Sequence, residues 1–452
     1  MTEIALIVLA AGKGKRMKST LPKVMHRVAG RSLLGHVLAS AAGLSPKRAV
    51  VVVGPDMDVV GLEAQRYFPG CNVAIQQERQ GTAHAVSMAK EGLKGFAGTI
   101  LVLYADVPLV QATSLSALVG KLDKKTPVAV LGFEAADPCG YGRLLKARNG
   151  SIRAIREELD ASPQEKKTRL CNSGILSVNS SVLWKLIPQI KNKNAKREYY
   201  LTDLVELAAK ADLRVGLVTC PEAEVAGVND RVQLGAIEAK LQAQFRRDAM
   251  LGGATLVAPD TVYFSADTKI GMDVVVEPNV FFGPGVTVGD NVHILANSHL
   301  EGASISSGAR IGPFARLRPG AEIGEDAHIG NFVEVKKAVI GRGAKANHLA
   351  YIGDAKVGAG SNIGAGTITC NYDGFEKHLT DIGSQVFVGS NTALVAPVKI
   401  GNGANIAAGS VITQDVPADS LAITRAELRV KDGWAARYRK MKENRKAAKA
   451  KV

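Results

Sequence analysis

Aromatic residues are scarce at 5%, and the five cysteines (Cys71, Cys139, Cys171, Cys220, Cys370) form an odd set whose closest pair lies 32 residues apart. An odd set without a CxxC pair indicates neither a disulfide framework nor a structural zinc site. Long hydrophobic runs are missing as well. Runs such as Ile4 to Ala11 and Ala49 to Val53 fall far short of the ~20 residues that cross a bilayer. The N-terminus has Glu3 ahead of its apolar run and Lys13, Lys15 and Arg16 behind it. That charge order is the reverse of a secretory signal, so the expected compartment is the cytoplasm, with no membrane insertion.

The chain has 452 residues, of which 46% are hydrophobic and 22% charged. This is about three times the usual single-domain length, with a soluble globular composition. Glycine is in excess, at 47 residues, which calls for many tight turns. The net charge is +15, and residues 425–452 hold eleven Lys or Arg against three Asp or Glu, leaving +7 for the rest. A basic tail suits nucleic acid, an anionic membrane or a polyphosphate ligand, and equally a solvated end. Only Trp434 and Tyr438 are interleaved with its cations, so nucleic acid is not the expected partner.

Patterning divides the chain. In residues 1–229 β-branched runs (IALIVLAA, AVVVVG, TILVLYAD) alternate with helical stretches (33–44, 82–93), as in an α/β, mostly parallel, Rossmann-like sheet with ligands at the carboxyl ends of its strands. Residues 230–251 read as a connecting helix, with Val232, Leu234, Ile237, Leu241 and Phe245 at helical spacing. From 252 to 424 the period becomes six. Of 23 aligned positions from Ile270 to Ile412, 22 are Ile, Val, Leu or Phe, and 13 are followed by Gly. Such a repeat builds a parallel β-helix of triangular coils, each of about 18 residues, with the aliphatic residue pointing inward. The frame slips by one at Ile305, Ile340 and Val357 and breaks between Ile363 and Ile382. A coil that stacks only on its neighbours has no structural need for that excursion, so the loop is a functional candidate. Residues 425–452 remain as a basic, helical tail.

Directly after the first strand comes Leu9-Ala10-Ala11-Gly12-Lys13-Gly14-Lys15-Arg16-Met17, with Pro22-Lys23 downstream. Small residues let backbone N–H groups approach phosphates, and Arg16 and Lys23 add fixed positive charge. GxGxxG would need Gly where Met17 stands, and GxxxxGK[ST] is not matched.

In LxxGxGxRM with its PK, QQERQGTAHA (76–85) and LYADVP (103–108), the chain resembles the sugar-phosphate nucleotidyltransferases. With GYGR (140–143), Glu157, NSG (172–174), EYYLTD (198–203) and GVN (227–229), it resembles more closely the bifunctional N-acetylglucosamine-1-phosphate uridyltransferase/glucosamine-1-phosphate acetyltransferase family. The resemblance covers residues 1 to about 435 and implies a left-handed β-helix, a homotrimer and the small-molecule substrates UTP, acetyl-CoA and glucosamine-1-phosphate. It implies that Asp106 and Asn229 hold Mg²⁺. Leu9, Ala10, Ala11, Gly12, Lys23, Gln76, Gly81, Thr82, Gly140, Glu157, Asn172 and Asn229 would bind UDP-N-acetylglucosamine, with Arg16 and Lys23 offsetting phosphate charge. Ala105 departs from the usual Gly, where its methyl is expected to crowd the ligand slightly and be tolerated.

Of the eight histidines, His348 in Ala346-Asn347-His348-Leu349-Ala350-Tyr351 stands two residues beyond an inward position and so should lie outside the coil interior. In the resembled enzymes this position is the catalytic base. Arg318 and Lys336 are 18 residues apart, one coil, and should stack as a cationic wall for a 1-phosphate. Tyr351, Asn362, Asn371, Tyr372 and Lys377 match the family's sugar-phosphate contacts. Ala365, Asn371, Tyr372, Ser390, Ala408 and Arg425 match its acetyl-CoA contacts. The rival reading makes the first domain a uridyltransferase for another sugar phosphate and the β-helix a trimerisation scaffold.

Overall fold

The alternating runs of the first half build an open, twisted sheet in the computed structural model, which describes residues 3–449. Two compact units result. The first holds residues up to Asp248 together with Tyr263–Ala266; the second holds Ala249–Val262 and the residues from Asp267 onward.

In the first unit the sheet order is Val215–Thr219, Val128–Glu134, Leu170–Asn179, Thr99–Tyr104, Ile4–Leu9, Arg48–Val53 and Asn72–Ile75. All neighbours in this order pair in parallel except Leu170–Asn179, which is antiparallel to the strands on either side of it. Strands made almost wholly of Val, Ile, Leu and Ala are suited to burial on both faces. Accordingly, one apolar cluster gathers Ala5, Ile7, Val50 and Val102, while another gathers Leu6, Val8, Val51 and Leu103. Leu9 pairs with both Val52 and Tyr104, so three carboxyl ends finish level and release their loops on one edge.

Arg231–Leu251 is a 21-residue helix. Its Ile237 and Leu241 are buried against Met17, Val28, Leu33 and Val228. Val232, expected on that apolar face, is instead 83% exposed: the helix buries one stripe, and Val232 lies off it.

In the second unit two-residue strands stack into the walls of a parallel β-helix, with ten strands in one wall. The longer strands Glu334–Ile340 and Tyr351–Val357 bend around a corner and join the other two walls. Of the 23 repeat positions only Ile270 is not buried. The frame slips appear as short coils: Val288 pairs with Ile305 and Ile323 with Ile340 at 17 residues, where Ile305 pairs with Ile323 at 18. The interruption adds seven residues, since Ile363 pairs with Val388. One corner repeats a left-handed backbone, with Asn279, Asn297 and Asn391 at φ 57° to 61° and Phe314, Phe332 and Leu349 at 51° to 55°. Asn accepts this conformation readily, whereas bulky apolar residues adopt it at some cost. The last helix, Trp434–Lys449, stacks Trp434 on Tyr438 with centroids 5.0 Å apart and sets the Lys442 ammonium 5.3 Å from the Tyr438 centroid.

Candidate active sites

The first site opens where Ile4–Leu9, Arg48–Val53 and Thr99–Tyr104 end. A cavity of about 250 Å³ is lined there by Leu9, Ala10, Ala11, Gly12, Lys23, Gln76, Gly81, Thr82 and Asp106 of the expected set, together with Arg79, Tyr104 and Glu198. Hydrogen bonds Ala10 N to Val52 O (2.8 Å) and Ala105 N to Leu9 O (3.1 Å) hold the first turn against its neighbours. A Cβ on Gly12 would meet nothing, while one on Gly14 (φ +57°) would fall 2.6 Å from Lys23 Cβ. Gly14 therefore makes room for the lysine, and Gly12 leaves backbone open to the cleft.

Lys23 Nζ donates to Asp106 Oδ2 in a short ion pair and to Asn229 Oδ1 at 3.4 Å. The loops carrying the two oxygens are tied together, since Val228 N donates to Asp106 O at 2.9 Å. A carboxylate and an amide oxygen thus converge on a single cationic atom. Two hard donors, with the remaining positions left to water and phosphate oxygens, match what Mg²⁺ accepts; among the described residues no group of three or more His, Cys, Asp or Glu side chains forms a closed cage. Arg16 is exposed on the turn Lys15–Met17 and does not line the cavity.

Gly81 has φ +120°, and a Cβ there would stand 2.5 Å from Tyr199 O and 2.7 Å from Tyr199 N. The close approach lets the segment around Gly81 clasp Tyr199, with Tyr199 N bonded to Gln80 O (2.8 Å) and Ala83 N to Tyr199 O (2.9 Å). Thr82 accepts from Leu201 N at 2.9 Å and is hydrogen-bonded to Tyr104. Burial, followed by the Glu157 carboxylate, pushes the Tyr104 phenol well above its usual range and keeps it neutral. The two adjacent acids separate. Glu158 pairs with Arg143 at 2.7 Å, whereas Glu157 accepts from the Thr202 hydroxyl at 3.1 Å, and burial raises its carboxyl. Gly140 N donates to Glu158 Oε2 at 3.3 Å, and Asn172 N donates to Gly142 O at 2.8 Å, beside an irregularity in its strand. Gly174 has no side chain because the Tyr104 ring lies 2.8 Å from where its Cβ would be. Ala105 is fully buried in the core among Leu101, Leu103 and Val51 and does not line the cavity. Its methyl fills the interior and does not crowd the cleft as expected.

The second site surrounds His348. Asn331 and His348 are register partners on adjacent coils, and His348 Nδ1 lies 2.7 Å from Asn331 Oδ1. An amide oxygen there accepts a hydrogen bond from Nδ1–H and leaves Nε2 as the accepting nitrogen. Asn331 has no periodic signature and was not among the expected residues. The imidazole is exposed, beside a cavity of about 290 Å³ that includes Arg310, Pro313, His328 and Asn347. Along the same corner Gly366 N donates to His348 O (3.4 Å), Asn391 N to Ala365 O (2.7 Å) and Gly409 N to Ser390 O (2.8 Å). His348, Ala365, Ser390 and Ala408 therefore form one column, ~5 Å per coil. Arg425 Cδ lies 3.8 Å from the Cβ position of Gly409 at its end.

On the next wall Leu317 pairs with Val335, which sets Arg318 beside Lys336, and Lys336 is the register partner of Gly353. Arg318 donates to Glu334 at 2.7 Å. Lys377 and then Arg318 crowd Lys336 and lower its pKa, because like charges held close disfavour its protonated form. The Tyr351 hydroxyl lies 2.3 Å from the Cβ position of Gly353, so the missing side chain gives the ring its place. In the interrupting loop Asn371 is buried and donates to Asp354 in a short bond, and Tyr372 bridges Lys377. Asp373 turns the loop by accepting from Phe375 N (2.8 Å), Glu376 N (2.7 Å) and His378 Nε2 (2.7 Å). These bonds hold its carboxyl far below the usual range. His378 is thereby a loop brace. Asn362 is the register partner of Lys345 on the His348 wall.

Residues 6–169 match the MobA-like NTP transferase domain model, and residues 267–302, 302–337 and 380–414 match the bacterial transferase hexapeptide (six repeats) model. Among curated relatives, the bifunctional protein GlmU of Azorhizobium caulinodans is 54% identical over 436 residues, which cover 96% of this chain and 97% of that one. The bifunctional protein GlmU of Paramagnetospirillum magneticum is 54% identical over 450 residues, 99% of each chain. That of Zymomonas mobilis subsp. mobilis is 52% identical over 441 residues, 97% of this chain and 98% of its own.

Proposed function

The chain belongs to the bifunctional GlmU family, and on that premise we propose that uridyl transfer takes place in the cleft of the first unit and acetyl transfer at the His348 corner of the second. The enzyme makes UDP-N-acetylglucosamine. It moves an acetyl group from acetyl-CoA to the amine of glucosamine-1-phosphate and then a uridyl group from UTP to N-acetylglucosamine-1-phosphate, releasing pyrophosphate.

In the uridyl cleft an oxygen of the sugar 1-phosphate forms a bond to the α-phosphorus of UTP as the bond to the β-phosphate breaks. No covalent intermediate is needed, so the residues position and neutralise. The Leu9–Gly12 turn receives the nucleotide, Lys23 and Arg16 offset phosphate charge, and Gln76, Gly81 and Thr82 hold the uracil. Gly140, Glu157 and Asn172 take the N-acetylated sugar, with the Thr202 hydroxyl orienting the Glu157 carboxylate. Nucleotidyl transfer uses a divalent metal; Mg²⁺, held by Asp106 and Asn229, would supply the further neutralisation that departing pyrophosphate requires.

At the β-helix, Arg318, Lys336 and Lys377 take the 1-phosphate, and Tyr351, Asn362, Asn371 and Tyr372 take the sugar. Acetyl-CoA lies along Ala365, Ser390 and Ala408, with Asn371 and Tyr372 beside it and Arg425 on its phosphates. His348 Nε2 accepts the amine proton as the nitrogen attacks the thioester; the C–N bond forms, the C–S bond breaks and CoA leaves as the thiol. The chain is cytoplasmic and forms a homotrimer, in which exposed Phe281, Phe314, Phe332 and Phe387 of the β-helix (43–55% exposed) gain cover. Hexapeptide repeats support self-association. Nucleic acid is not a partner, and among the described residues no helix is long and apolar enough to cross a membrane.

The observation that carries this reading is the imidazole held by Asn331 at the head of a corner column, with Arg318 and Lys336 stacked on the next wall and Lys377 of the interrupting loop against them. The test is thiol release from acetyl-CoA with glucosamine-1-phosphate, using glucosamine-6-phosphate as the control. Release with the 1-phosphate alone is expected. No release from folded protein would favour the scaffold reading of the β-helix.

A further inference from the structure

We propose that His84 is a positioning residue for uracil selection: its Nδ1 lone pair locks the Gln76 carboxamide so that only the amide oxygen faces the base. The inference rests on the uridyltransferase reading of the cleft.

Gln76 lines the cavity and is only 3% exposed, so its amide is oriented by protein partners. Nε2 lies 3.1 Å from Gly81 O and 3.1 Å from His84 Nδ1. A backbone carbonyl can only accept, which identifies the atom facing it as the amide nitrogen. That nitrogen has two N–H donors. With one on Gly81 O, the other points at His84 Nδ1, which must therefore carry a lone pair, the ring proton being on Nε2. Both donors are consumed, and among the described residues no donor is bonded to Oε1.

The frame around this pair is stiff. Gln76 N donates to Val53 O at 2.8 Å, Gly81 is clasped to Tyr199, and His84 sits in the first turn of the helix Thr82–Met88, its own carbonyl accepting from Ser87 Oγ at 2.7 Å. The amide thus presents an acceptor and no donor. Uracil offers N3–H, a donor, at the matching position, whereas cytosine offers N3 as an acceptor beside an amino group. An acceptor-only amide bonds the first and leaves two lone pairs facing each other in the second. Without the His84 lone pair the second N–H is unsatisfied, and the amide can turn to donate to a base acceptor.

The experiment compares kcat/KM for UTP, CTP and TTP with N-acetylglucosamine-1-phosphate in the full chain, for wild type, His84→Leu and His84→Asn. Thermal unfolding and acetyl transfer are measured on each protein as checks of folding. In His84→Leu the UTP to CTP preference is expected to fall at least fivefold, while the UTP to TTP ratio stays within twofold because thymine shares the N3–H. Asn can place Oδ1 where Nδ1 stood, so His84→Asn is expected to keep most of the preference. An equal loss with all three nucleotides in folded His84→Leu, or an unchanged UTP to CTP ratio, would overturn the proposal. If His84→Leu does not fold, loss of the preference in folded His84→Asn would also overturn it. Absence of uridyl transfer in the wild type would instead sink the reading of the cleft.

Discussion

Placing a methyl group on Gly81 tests the architecture of the nucleotide cleft. The added Cβ would lie 2.5 Å from Tyr199 O and 2.7 Å from Tyr199 N, roughly 1 Å inside ordinary contact. Both atoms are backbone, and both are bonded to the Gly81 segment through Gln80 O and Ala83 N, so neither can swing aside. The backbone at φ +120°, ψ 178° lies in a region open essentially to glycine alone and adds a cost of about 1–3 kcal/mol for any L side chain. With overpacking of about 1–3 kcal/mol, Gly81→Ala is expected to cost roughly 2–6 kcal/mol and to push apart the segments carrying Gln76 and Thr82. A displacement of about 1 Å at reacting groups costs about a hundredfold in rate. Uridyl transfer, followed by pyrophosphate release, should fall about a hundredfold, with acetyl transfer unchanged. Gly95→Ala is the control: its φ of +72° is also unfavourable for an L side chain, but its Cβ would meet nothing within 4 Å, so only the conformational cost applies and uridyl transfer should stay within twofold. Gly81→Ala with uridyl transfer within threefold of wild type would refute the close-approach argument.

Two further outcomes follow from the geometry. Burial lowers the His36 pKa from 6.5 to about 4, against its bond to the Val28 carbonyl and helped by Arg31. The unfolded chain therefore holds more protons than the folded one between those values, and stability rises with pH across that window, by up to about 3 kcal/mol. His36→Gln should flatten the dependence of Tm on pH between 4.5 and 6.5 for the first unit, and an unchanged slope would contradict the assignment. Asn331→Ala removes the bond that holds His348 Nδ1, worth about 1 kcal/mol, so acetyl-transfer kcat should drop about fivefold with KM within twofold. An unchanged kcat would show that the imidazole is held by something else.

The β-helix was legible because its requirement is periodic: one inward aliphatic residue at about every sixth position, all of them buried except Ile270. The α/β sheet was legible for a related reason, strands buried on both faces reading as unbroken apolar runs. The turn after the first strand was visible through Gly12 and Gly14, one leaving backbone open and the other tied to a close approach. Partners set by three-dimensional register were not legible. Asn331 holds His348 only because a 17-residue coil brings the two level. Arg79, whose Nε donates to Ala11 O at 2.5 Å in the cleft, had no spacing rule to reveal it, and neither did His84. The helix 231–251 shows the limit of pattern reading from the other side: helical spacing admitted Val232 to the apolar face, while packing left it outside.

The central claim is that two sites serve two separable reactions, and the most direct test is both assays on two variants. Asp106→Ala removes the carboxylate that shares Lys23 with Asn229, and His348→Ala removes the imidazole at the head of the corner column. Asp106→Ala is expected to abolish uridyl transfer and spare acetyl transfer, and His348→Ala is expected to do the reverse. Loss of both activities in either variant, with its fold intact, would contradict the account.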